Sequence, residues 1–408
     1  MNLLLDYTDK QIGSAIVGIS GSKSESNRLL ILQEFYPNLS LENISDSDDT
    51  NHLTHALSSR DKVVDIGHAG TAMRFLTAYF SVLDGREVVL TGSERMQNRP
   101  IRILVDALRS LGADIEYVDK EGYPPLRIKG KKLIKNKVSI NGNMSSQYIS
   151  ALLLIAPSLE NGLEIELLGE VTSRPYLEMT LTLLKEIGIT TRFNENHIKI
   201  EPKRKIENKT LVVESDWSSA SYFYGLVALS GVGTTIELSS YRKKSLQGDN
   251  CLAKIYKELG VETEFQENAI LLKKMNVISS TVEKSQPLEL DLRNAPDIAQ
   301  TIAVTCFGLG IACNLTGLHT LKIKETDRLV ALDTELTKLG ADISVTDKSL
   351  HLKISSTINK NCHISTYNDH RMAMAFAPLS LKVPMIIENA EVVTKSYISF
   401  WDDFEGCF

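Results

Sequence analysis

The sequence predicts an α/β fold built from two similar domains, and length, composition and internal repetition support this. A chain of 408 residues is longer than one hydrophobic core usually holds, so two or more domains are expected. The content of 43% hydrophobic and 24% charged residues is typical of a globular protein. Two kinds of segment recur with a period near 75 residues, which is longer than the repeat of common solenoids.

The first repeated segment is a short polar stretch followed by an apolar run of helical character. Copies start at Ser22, His68, Met144, Asp216, Ala295 and Asn368. We expect each to begin a helix, whose N-terminus presents free N–H groups and the positive end of the helix dipole, both of which attract anions. Such helix starts meeting at one place would bind anions without a metal ion.

The second repeated segment is an amphipathic helix that ends at a glycine and is followed by a strand, a turn and a second strand. The glycines are Gly112, Gly188, Gly260 and Gly340, spaced 72 to 80 residues apart. A glycine is the expected left-handed cap of a helix, and the alternating segments after it are typical of half-buried strands. The six copies of the first segment favour two domains of three units each.

The charged stretch 201–215, poor in apolar residues until Leu211, indicates a crossover near Glu214 to Asp216. We therefore expect a first domain at residues 14–214 and a second domain formed by 1–13 and 215–408. Two crossover segments would join them. The segment before the SGSK sequence at Ser20 is one strand long and could belong to either domain.

Charge and cysteine content exclude several classes of protein. A net charge of −6 argues against electrostatic binding of nucleic acid. Five cysteines without a CxxC pair argue against disulfides and zinc, and they fit a reducing cytoplasm. The N-terminus lacks the basic start of a signal peptide, and no stretch reaches 18 uncharged apolar residues. We expect a cytoplasmic protein with no cofactor, no metal ion and no membrane partner.

Cationic and small polar side chains cluster at the predicted helix starts. They are Lys23, Ser24, Arg28, Gly70, Thr71, Arg74, Ser145, Ser146, Gln147, Asp297, Asp369, His370 and Arg371. Taken singly, these residues could be ordinary helix caps, and the KETDR sequence at Lys324 could be a solvated helix face. Their recurrence at equivalent positions of a repeat predicts a cationic pocket for small phosphorylated acids.

The motifs SGSKSESNR, GHAGTAMR, RMQNRP, TSRPY, KETDRL and YNDHRMAM occur in an order that resembles the 5-enolpyruvylshikimate-3-phosphate (EPSP) synthase family over essentially the whole chain. The resemblance implies two domains, each of three βαβαββ units of the inside-out α/β barrel type, with the active site in the interdomain cleft. It implies transfer of the enolpyruvyl group of phosphoenolpyruvate to the 5-hydroxyl of shikimate 3-phosphate through a tetrahedral intermediate, with release of phosphate. This is the sixth step of the shikimate pathway, which leads to chorismate and the aromatic amino acids. A monomer is expected.

The resemblance also assigns roles to residues. The expected contacts to shikimate 3-phosphate are Lys23, Ser24, Arg28, Ser145, Ser146, Gln147, Ser173, Tyr176, Asp297 and Lys324. The expected contacts to phosphoenolpyruvate are Lys23, Gly70, Arg99, Gln147, Arg328, Arg371 and Lys395. Asp297 and Glu325 resemble the proton-transfer pair of the family, with Lys23 close by; which carboxyl is the base and which the acid stays open. The cations in these sets would repel one another without the anionic substrates, so we expect charge balance only when both substrates are bound.

The sequence departs from the family pattern at His68, Phe75 and Thr320, where Asn, Pro and Asn are usual. Thr320 weakens one substrate contact, because a hydroxyl replaces only part of an amide. Gly70 followed by Thr71 resembles the glyphosate-sensitive form of the family, so we expect glyphosate to compete with phosphoenolpyruvate.

Three alternatives remain. A sister enzyme transfers enolpyruvyl to UDP-N-acetylglucosamine and uses a loop with a reactive cysteine, but the corresponding stretch TGSERMQNRP has no cysteine. A non-catalytic binding protein on the same fold would not need the full set of charged residues. An RNA 3′-phosphate cyclase shares the architecture, but the chain has no basic stripe.

Overall fold

The computed structural model describes residues 1–143, 145–169, 171, 174–276 and 286–408. The chain forms two compact units: a first unit, Gly21–Val213, and a second unit, Met1–Ser20 with Glu214–Phe408. The sequence places the start of the first domain at residue 14. Ser14–Val17 instead pairs in parallel with the strand Thr235–Ser239, so residues 14–20 lie in the second unit.

The first twenty residues contain the strands β1 (Leu3–Leu5) and β2 (Ser14–Val17). The strands of the first unit are β3 (Leu39–Glu42), β4 (Val63–Asp65), β5 (Glu87–Thr91), β6 (Asp114–Tyr117), β7 (Leu126–Lys129), β8 (Lys137–Asn141), β9 (Leu163–Leu168), β10 (Thr191–Asn194), β11 (His197–Ile200) and β12 (Lys209–Val212). Its helices are α1 (Lys23–Phe35), α2 (Asp48–Ser58), α3 (Gly70–Val82), α4 (Glu94–Gln97), α5 (Arg102–Leu111), α6 (Ser146–Ile155) and α7 (Arg174–Glu186).

The remaining strands of the second unit are β13 (Thr235–Ser239), β14 (Val261–Phe265), β15 (Ala269–Lys274), β16 (Leu288–Asp291), β17 (Cys313–Thr316), β18 (Ile343–Val345), β19 (Leu350–Leu352), β20 (Cys362–Ile364) and β21 (Met385–Ile387). Its helices are α8 (Trp217–Leu229), α9 (Leu252–Glu258), α10 (Ala299–Leu309), α11 (Arg328–Lys338), α12 (His370–Phe376) and α13 (Phe400–Glu405). Short 3₁₀ helices cover Pro296–Ile298, His319–Ile323 and Ala390–Lys395, among other segments.

Within the described residues, the two units repeat one sheet design. The sheets β4-β5-β7-β6 and β8-β9-β11-β10 of the first unit each join a parallel pair to an antiparallel hairpin. The sheets β2-β13-β15-β14 and β16-β17-β19-β18 of the second unit do the same. A smaller sheet completes each unit, β12-β3 in the first and β1-β21-β20 in the second. The order β4-α3-β5-α5-β6-β7, with the short α4 between β5 and α5, is a βαβαββ unit.

The helix-closing glycines adopt the left-handed backbone that their sequence positions predict. Their φ angles are 105° at Gly112, 80° at Gly188, 82° at Gly260 and 96° at Gly340. A side chain there would strain the turn into the following strand, since left-handed backbone is unfavourable for residues with a Cβ.

The helices that follow the predicted polar starts form the core of each unit. Almost every residue of α3, α6, α8 and α10 is buried. Aromatic side chains add to the core of the second unit, where Trp217 contacts Tyr241 and Phe400 contacts Tyr222. Because these helices are enclosed along their length, polar chemistry concentrates at their N-terminal ends.

No helix in the described part of the chain is both long and apolar enough to cross a membrane. The five cysteines are free thiols.

Candidate active site

The guanidinium of Arg328, the first residue of α11, is the centre of a buried charge cluster in the second unit. Its Nε and Nη2 donate to the two carboxylate oxygens of Asp369 at 2.6 and 3.3 Å. Nη1 donates to Asp297 at 2.9 Å, and Nη2 also donates to Glu325 at 2.7 Å. Burial opposes the charge of Arg328, but these carboxylates outweigh it and raise its pKa above the ordinary arginine value. The planar guanidinium fork suits such multiple pairing, which the single ammonium of lysine cannot reproduce.

Asp297 lies in the 3₁₀ helix that precedes α10 and faces three cations. Its Oδ1 is 2.9 Å from Arg328 Nη1 and 3.3 Å from Lys324 Nζ, and its Oδ2 is 3.4 Å from Arg371 Nη2. Burial alone would raise its pKa. The charges of Lys324, Arg371 and Arg328 exceed that effect and hold the pKa of Asp297 well below the ordinary aspartate value. Asp297 is therefore a carboxylate at neutral pH.

Asp369 connects this cluster to the start of α12. Its side chain caps the helix by accepting from the backbone N–H of Arg371 at 2.9 Å, and it is fully buried. The guanidinium of Arg371 then reaches the backbone carbonyl of Asp297 at 3.3 Å. Lys395, at the end of the 3₁₀ helix Ala390–Lys395, donates to the carbonyl of Asn368 at 2.6 Å. The structure thus brings together the Lys324–Arg328 segment, Arg371 and Lys395.

Two residues beside Arg371, Ser218 and Asp249, were not identified from the sequence. Arg371 Nη2 donates to Ser218 Oγ at 3.3 Å, and Ser218 in turn donates to the carboxyl of Asp249. Burial and the nearby charge of Asp297 raise the pKa of Asp249 to about 6. The available signals were the polar sequence DWSS at the start of α8 and the short polar sequence QGD at Gln247, to which no role was assigned from the sequence.

In the first unit, Arg28 is buried in α1 among neutral hydrogen-bond partners. It donates to Thr180 Oγ1 at 2.7 Å, Ser150 Oγ at 3.1 Å and the carbonyl of Ser24 at 2.6 Å. Its guanidinium lies over the rings of Phe75 and Tyr176, 5.4 and 6.0 Å from their centroids. Burial lowers the pKa of Arg28 to about 10, so it remains cationic at neutral pH.

Lys23, the first residue of α1, forms an ion pair with Asp49 in the first turn of α2, with Nζ 3.2 Å from Oδ2. Asp49 is a further residue that was not identified from the sequence; it stands in the acidic first turn of α2, a common feature of helix starts. The carboxylate of Asp49 therefore holds the ammonium of Lys23 beside the start of α1.

The starts of α6 and α3 in the first unit are linked by side chains. Ser145 caps α6 by accepting from the backbone N–H of Gln147 at 3.4 Å, and Ser146 begins the helix. The amide of Gln147 donates to Thr71 Oγ1 at 3.1 Å. At Gly70 a Cβ atom would lie 2.4 Å from Nη1 of Arg99, so the lack of a side chain lets that guanidinium lie against the start of α3.

The predicted contact Ser173 lies outside the described residues. The three residues that depart from the family pattern, His68, Phe75 and Thr320, lie within the described residues. His68 is at the surface, where its Nδ1 is 2.7 Å from Ser93 Oγ. Phe75 is buried in the middle of α3, beneath Arg28. The Oγ1 of Thr320 is buried with no hydrogen-bond partner in the described structure.

Within the described residues, no group of three or more His, Cys, Asp or Glu side chains could hold a metal ion. The charge count made from the sequence is corrected by the geometry. That count balanced the positive charges of the site against the negative charges of the substrates only. In the structure, Asp297, Asp369 and Glu325 already pair with Lys324, Arg328 and Arg371 within the second unit. The arrangement can hold anionic groups, and it presents an ionised carboxylate among cations.

The fold is that of the enolpyruvyl transferases. The solved structure of EPSP synthase from Acinetobacter baumannii matches with a TM-score of 0.79 at 19% identity, covering 99% of this chain and 97% of that chain. The enolpyruvyl transferase NikO from Streptomyces tendae matches with a TM-score of 0.70 at 13% identity, covering 99% and 97% of the two chains. These likenesses confirm the predicted α/β fold class.

Sequence similarity narrows the class to one family. The model of the EPSP synthase (3-phosphoshikimate 1-carboxyvinyltransferase) family matches residues 56–404. The 3-phosphoshikimate 1-carboxyvinyltransferase of Bacteroides fragilis is 47% identical over 394 residues, covering 95% of this chain and 94% of the relative. That of Haemophilus influenzae is 35% identical over 424 residues, covering 95% of both. The chain belongs to the EPSP synthase family, which confirms the resemblance and the enzyme class predicted from the sequence.

Proposed function

We propose that this chain transfers the enolpyruvyl group of phosphoenolpyruvate to the 5-hydroxyl of shikimate 3-phosphate and releases phosphate, as a step of the shikimate pathway. The observation that carries the proposal is the position of Asp297 among Lys324, Arg328 and Arg371. Addition of a hydroxyl to an enol phosphate needs a group that takes the hydroxyl proton and cations that hold the anionic substrate. Both lie within one cluster here.

Asp297 acts as the general base in this proposal. A carboxyl whose pKa lies well below the ordinary value carries no proton near neutral pH, so it is not the proton donor. The same low pKa makes Asp297 a weak base in the unliganded protein. Anionic substrates that bind Lys324, Arg328 and Arg371 would offset those positive charges and raise the proton affinity of Asp297.

Glu325 acts as the acid that protonates the methylene carbon. Its carboxyl is one-third exposed and pairs with Arg328 at 2.7 Å, so proton exchange with solvent is open to it. Addition gives a tetrahedral intermediate. The C–O bond to phosphate then breaks, the leaving phosphate takes up the hydroxyl proton held by Asp297, and loss of one methyl proton forms the enol ether of the product. The same carboxyl that donated the proton can take it back.

The remaining residues bind and orient the substrates. We assign shikimate 3-phosphate to Lys23, Ser24, Arg28, Ser145, Ser146, Gln147, Ser173, Tyr176, Asp297 and Lys324, and phosphoenolpyruvate to Lys23, Gly70, Arg99, Gln147, Arg328, Arg371 and Lys395. Arg28 supports this assignment, because its donors are held by hydroxyl and carbonyl oxygens, which compete weakly with a phosphate for a charged guanidinium.

Single-turnover measurements test the two carboxyl roles. Asp297→Asn is expected to slow formation of the tetrahedral intermediate by roughly 10²–10⁴-fold, the usual contribution of a positioned acid or base. Glu325→Gln should slow both formation and breakdown. Asp333→Asn is the matched control, since Asp333 lies on α11 with Arg328 but outside the cluster. Near-normal turnover by Asp297→Ala would contradict the base assignment.

The chain is also proposed to act as a monomer in the cytoplasm, with no nucleic-acid or membrane partner. Sedimentation equilibrium of the purified protein tests the first point: a mass near 45.3 kDa supports a monomer, and twice that mass contradicts it.

A further inference from the structure

Glu335, two turns along α11 from Arg328, is a fully buried carboxylate that the proposed mechanism does not use. Its Oε1 accepts from the hydroxyl of Tyr367 at 2.6 Å, and its Oε2 accepts from the backbone N–H of Ser365 at 3.2 Å. Lys338 Nζ lies 2.8 Å from both oxygens. One face of α11 therefore holds the segment 365–369 at two points, through Glu335 at one end and through Arg328 with Asp369 at the other.

The segment held in this way contains an unusual turn. Tyr367 and Asn368 have φ angles of 54° and 55°, in the left-handed region that residues with a Cβ rarely adopt. The backbone N–H of Asp369 closes the turn by donating to the carbonyl of Thr366 at 2.8 Å. Two consecutive left-handed residues persist only where the surrounding structure fixes them, and the hydroxyl of Tyr367 on Glu335 is a direct anchor of the first.

Two residues at this turn accept hydrogen bonds from residues of the proposed active site. The carbonyl of Asn368 accepts from Lys395 Nζ at 2.6 Å. The carboxylate of Asp369 accepts from Arg328 and from the backbone N–H of Arg371. A relaxation of the turn would move the acceptors that orient Lys395, Arg328 and Arg371 together.

We propose that Glu335 and Tyr367 are positioning residues for phosphoenolpyruvate binding: they hold the left-handed turn at Tyr367–Asn368, which aligns Lys395, Arg328 and Arg371. The proposal rests on the proposed function, because those three cations are assigned there to phosphoenolpyruvate. It also predicts selectivity for phosphoenolpyruvate, because the three cations that the turn aligns are all assigned to phosphoenolpyruvate, whereas Ser24 and Arg28, assigned to shikimate 3-phosphate, belong to the first unit.

Tyr367→Phe removes the anchoring hydroxyl alone. We expect the KM for phosphoenolpyruvate to rise roughly tenfold, as for loss of one hydrogen bond to a charged group, with the KM for shikimate 3-phosphate changed less than about twofold. Tyr36→Phe is the matched control, because Tyr36 donates to the carbonyl of Lys203 at 2.7 Å, in the first unit. It should lower thermal stability by a similar amount and leave both KM values unchanged. Unchanged KM values in Tyr367→Phe, or a parallel rise in both, would overturn the proposal.

Rescue by a conservative variant gives a second test. Glu335→Gln keeps an oxygen that accepts from Tyr367, whereas Glu335→Ala does not. The proposal requires the rise in the KM for phosphoenolpyruvate to be several-fold smaller in Glu335→Gln than in Glu335→Ala; equal rises contradict it. The activity of the unsubstituted enzyme distinguishes failure of the positioning role from failure of the proposed function. If the unsubstituted enzyme converts both substrates and the variants have the same KM for phosphoenolpyruvate, the positioning role is contradicted. If the parent shows no turnover, the proposed function fails.

Discussion

Arg328 and Asp369 form a two-pronged ion pair that is almost completely buried, with the guanidinium 2% exposed and the carboxylate fully enclosed. The pair joins the start of α11 to the start of α12. Because Arg328 also binds Asp297 and Glu325, one side chain fixes the geometry of both proposed proton-transfer groups.

Removal of this guanidinium should therefore destabilise the protein as well as inactivate it. Arg328→Met leaves Asp369 and Asp297 buried with lost partners, and we expect the free energy of unfolding to fall by about 3–5 kcal/mol in urea titrations at pH 7. Arg293→Met is the control, because the pair between Arg293 and Asp291 is exposed and contributes about 1 kcal/mol or less. Equal losses of unfolding free energy in the two variants would show that the buried cluster stabilises the protein no more than an exposed ion pair.

A methyl group at Gly70 should disturb the guanidinium of Arg99. The added Cβ would lie 2.4 Å from Arg99 Nη1, closer than non-bonded atoms approach, so the guanidinium must shift. We expect Gly70→Ala to raise the KM for phosphoenolpyruvate and to weaken glyphosate inhibition, each by roughly tenfold or more, with little loss of stability. Gly13→Ala is a matched control, since no atom lies within 4 Å of its added methyl group. Glyphosate inhibition constants that stay equal in parent and Gly70→Ala would refute this.

Features that depend on residues close together in the sequence could be predicted, whereas features that depend on distant residues could not. Gly112, Gly188, Gly260 and Gly340 were recognisable because a helix cap is a local property, and the repeated sheets followed from their spacing. The pairing of β2 with β13 joins segments more than 200 residues apart, and no local pattern reports it. This is why the predicted boundary at residue 14 differs from the start of the first unit at Gly21.

The charges of the site show the same limit. The cations were found because they stand at helix starts, but their partners lie elsewhere in the sequence. Asp49 and Asp249 reach Lys23 and Ser218 only through the fold. A charge count from the sequence therefore assigned neutralisation of the cations to the substrates. In the second unit, carboxylates of the protein already pair with those cations.

The pKa of Asp249 predicts a pH dependence of stability. Its folded value of about 6 lies above the ordinary value of 3.8, so between roughly pH 4 and 6 the folded protein keeps a proton that the unfolded chain releases. The contribution of Asp249 to the free energy of unfolding should therefore fall by on the order of 3 kcal/mol as the pH rises through this window, and then stay level.

Asp249→Asn removes that contribution, so its unfolding free energy relative to the parent should increase from pH 4 to pH 7. Urea titrations at several pH values measure the difference directly. Asp297 contributes in the opposite sense, because its low pKa adds stability above pH 4, and subtracting the two proteins isolates Asp249. Parallel stability curves for parent and Asp249→Asn would contradict the raised pKa.

The most direct test of the central claim is a phosphate-release assay with phosphoenolpyruvate and either shikimate 3-phosphate or UDP-N-acetylglucosamine as acceptor. The account predicts rapid release with shikimate 3-phosphate, none with the sugar nucleotide, and loss of at least 10²-fold in kcat for Asp297→Asn but not for Asp333→Asn. Release with UDP-N-acetylglucosamine alone, or none with either acceptor, would contradict it.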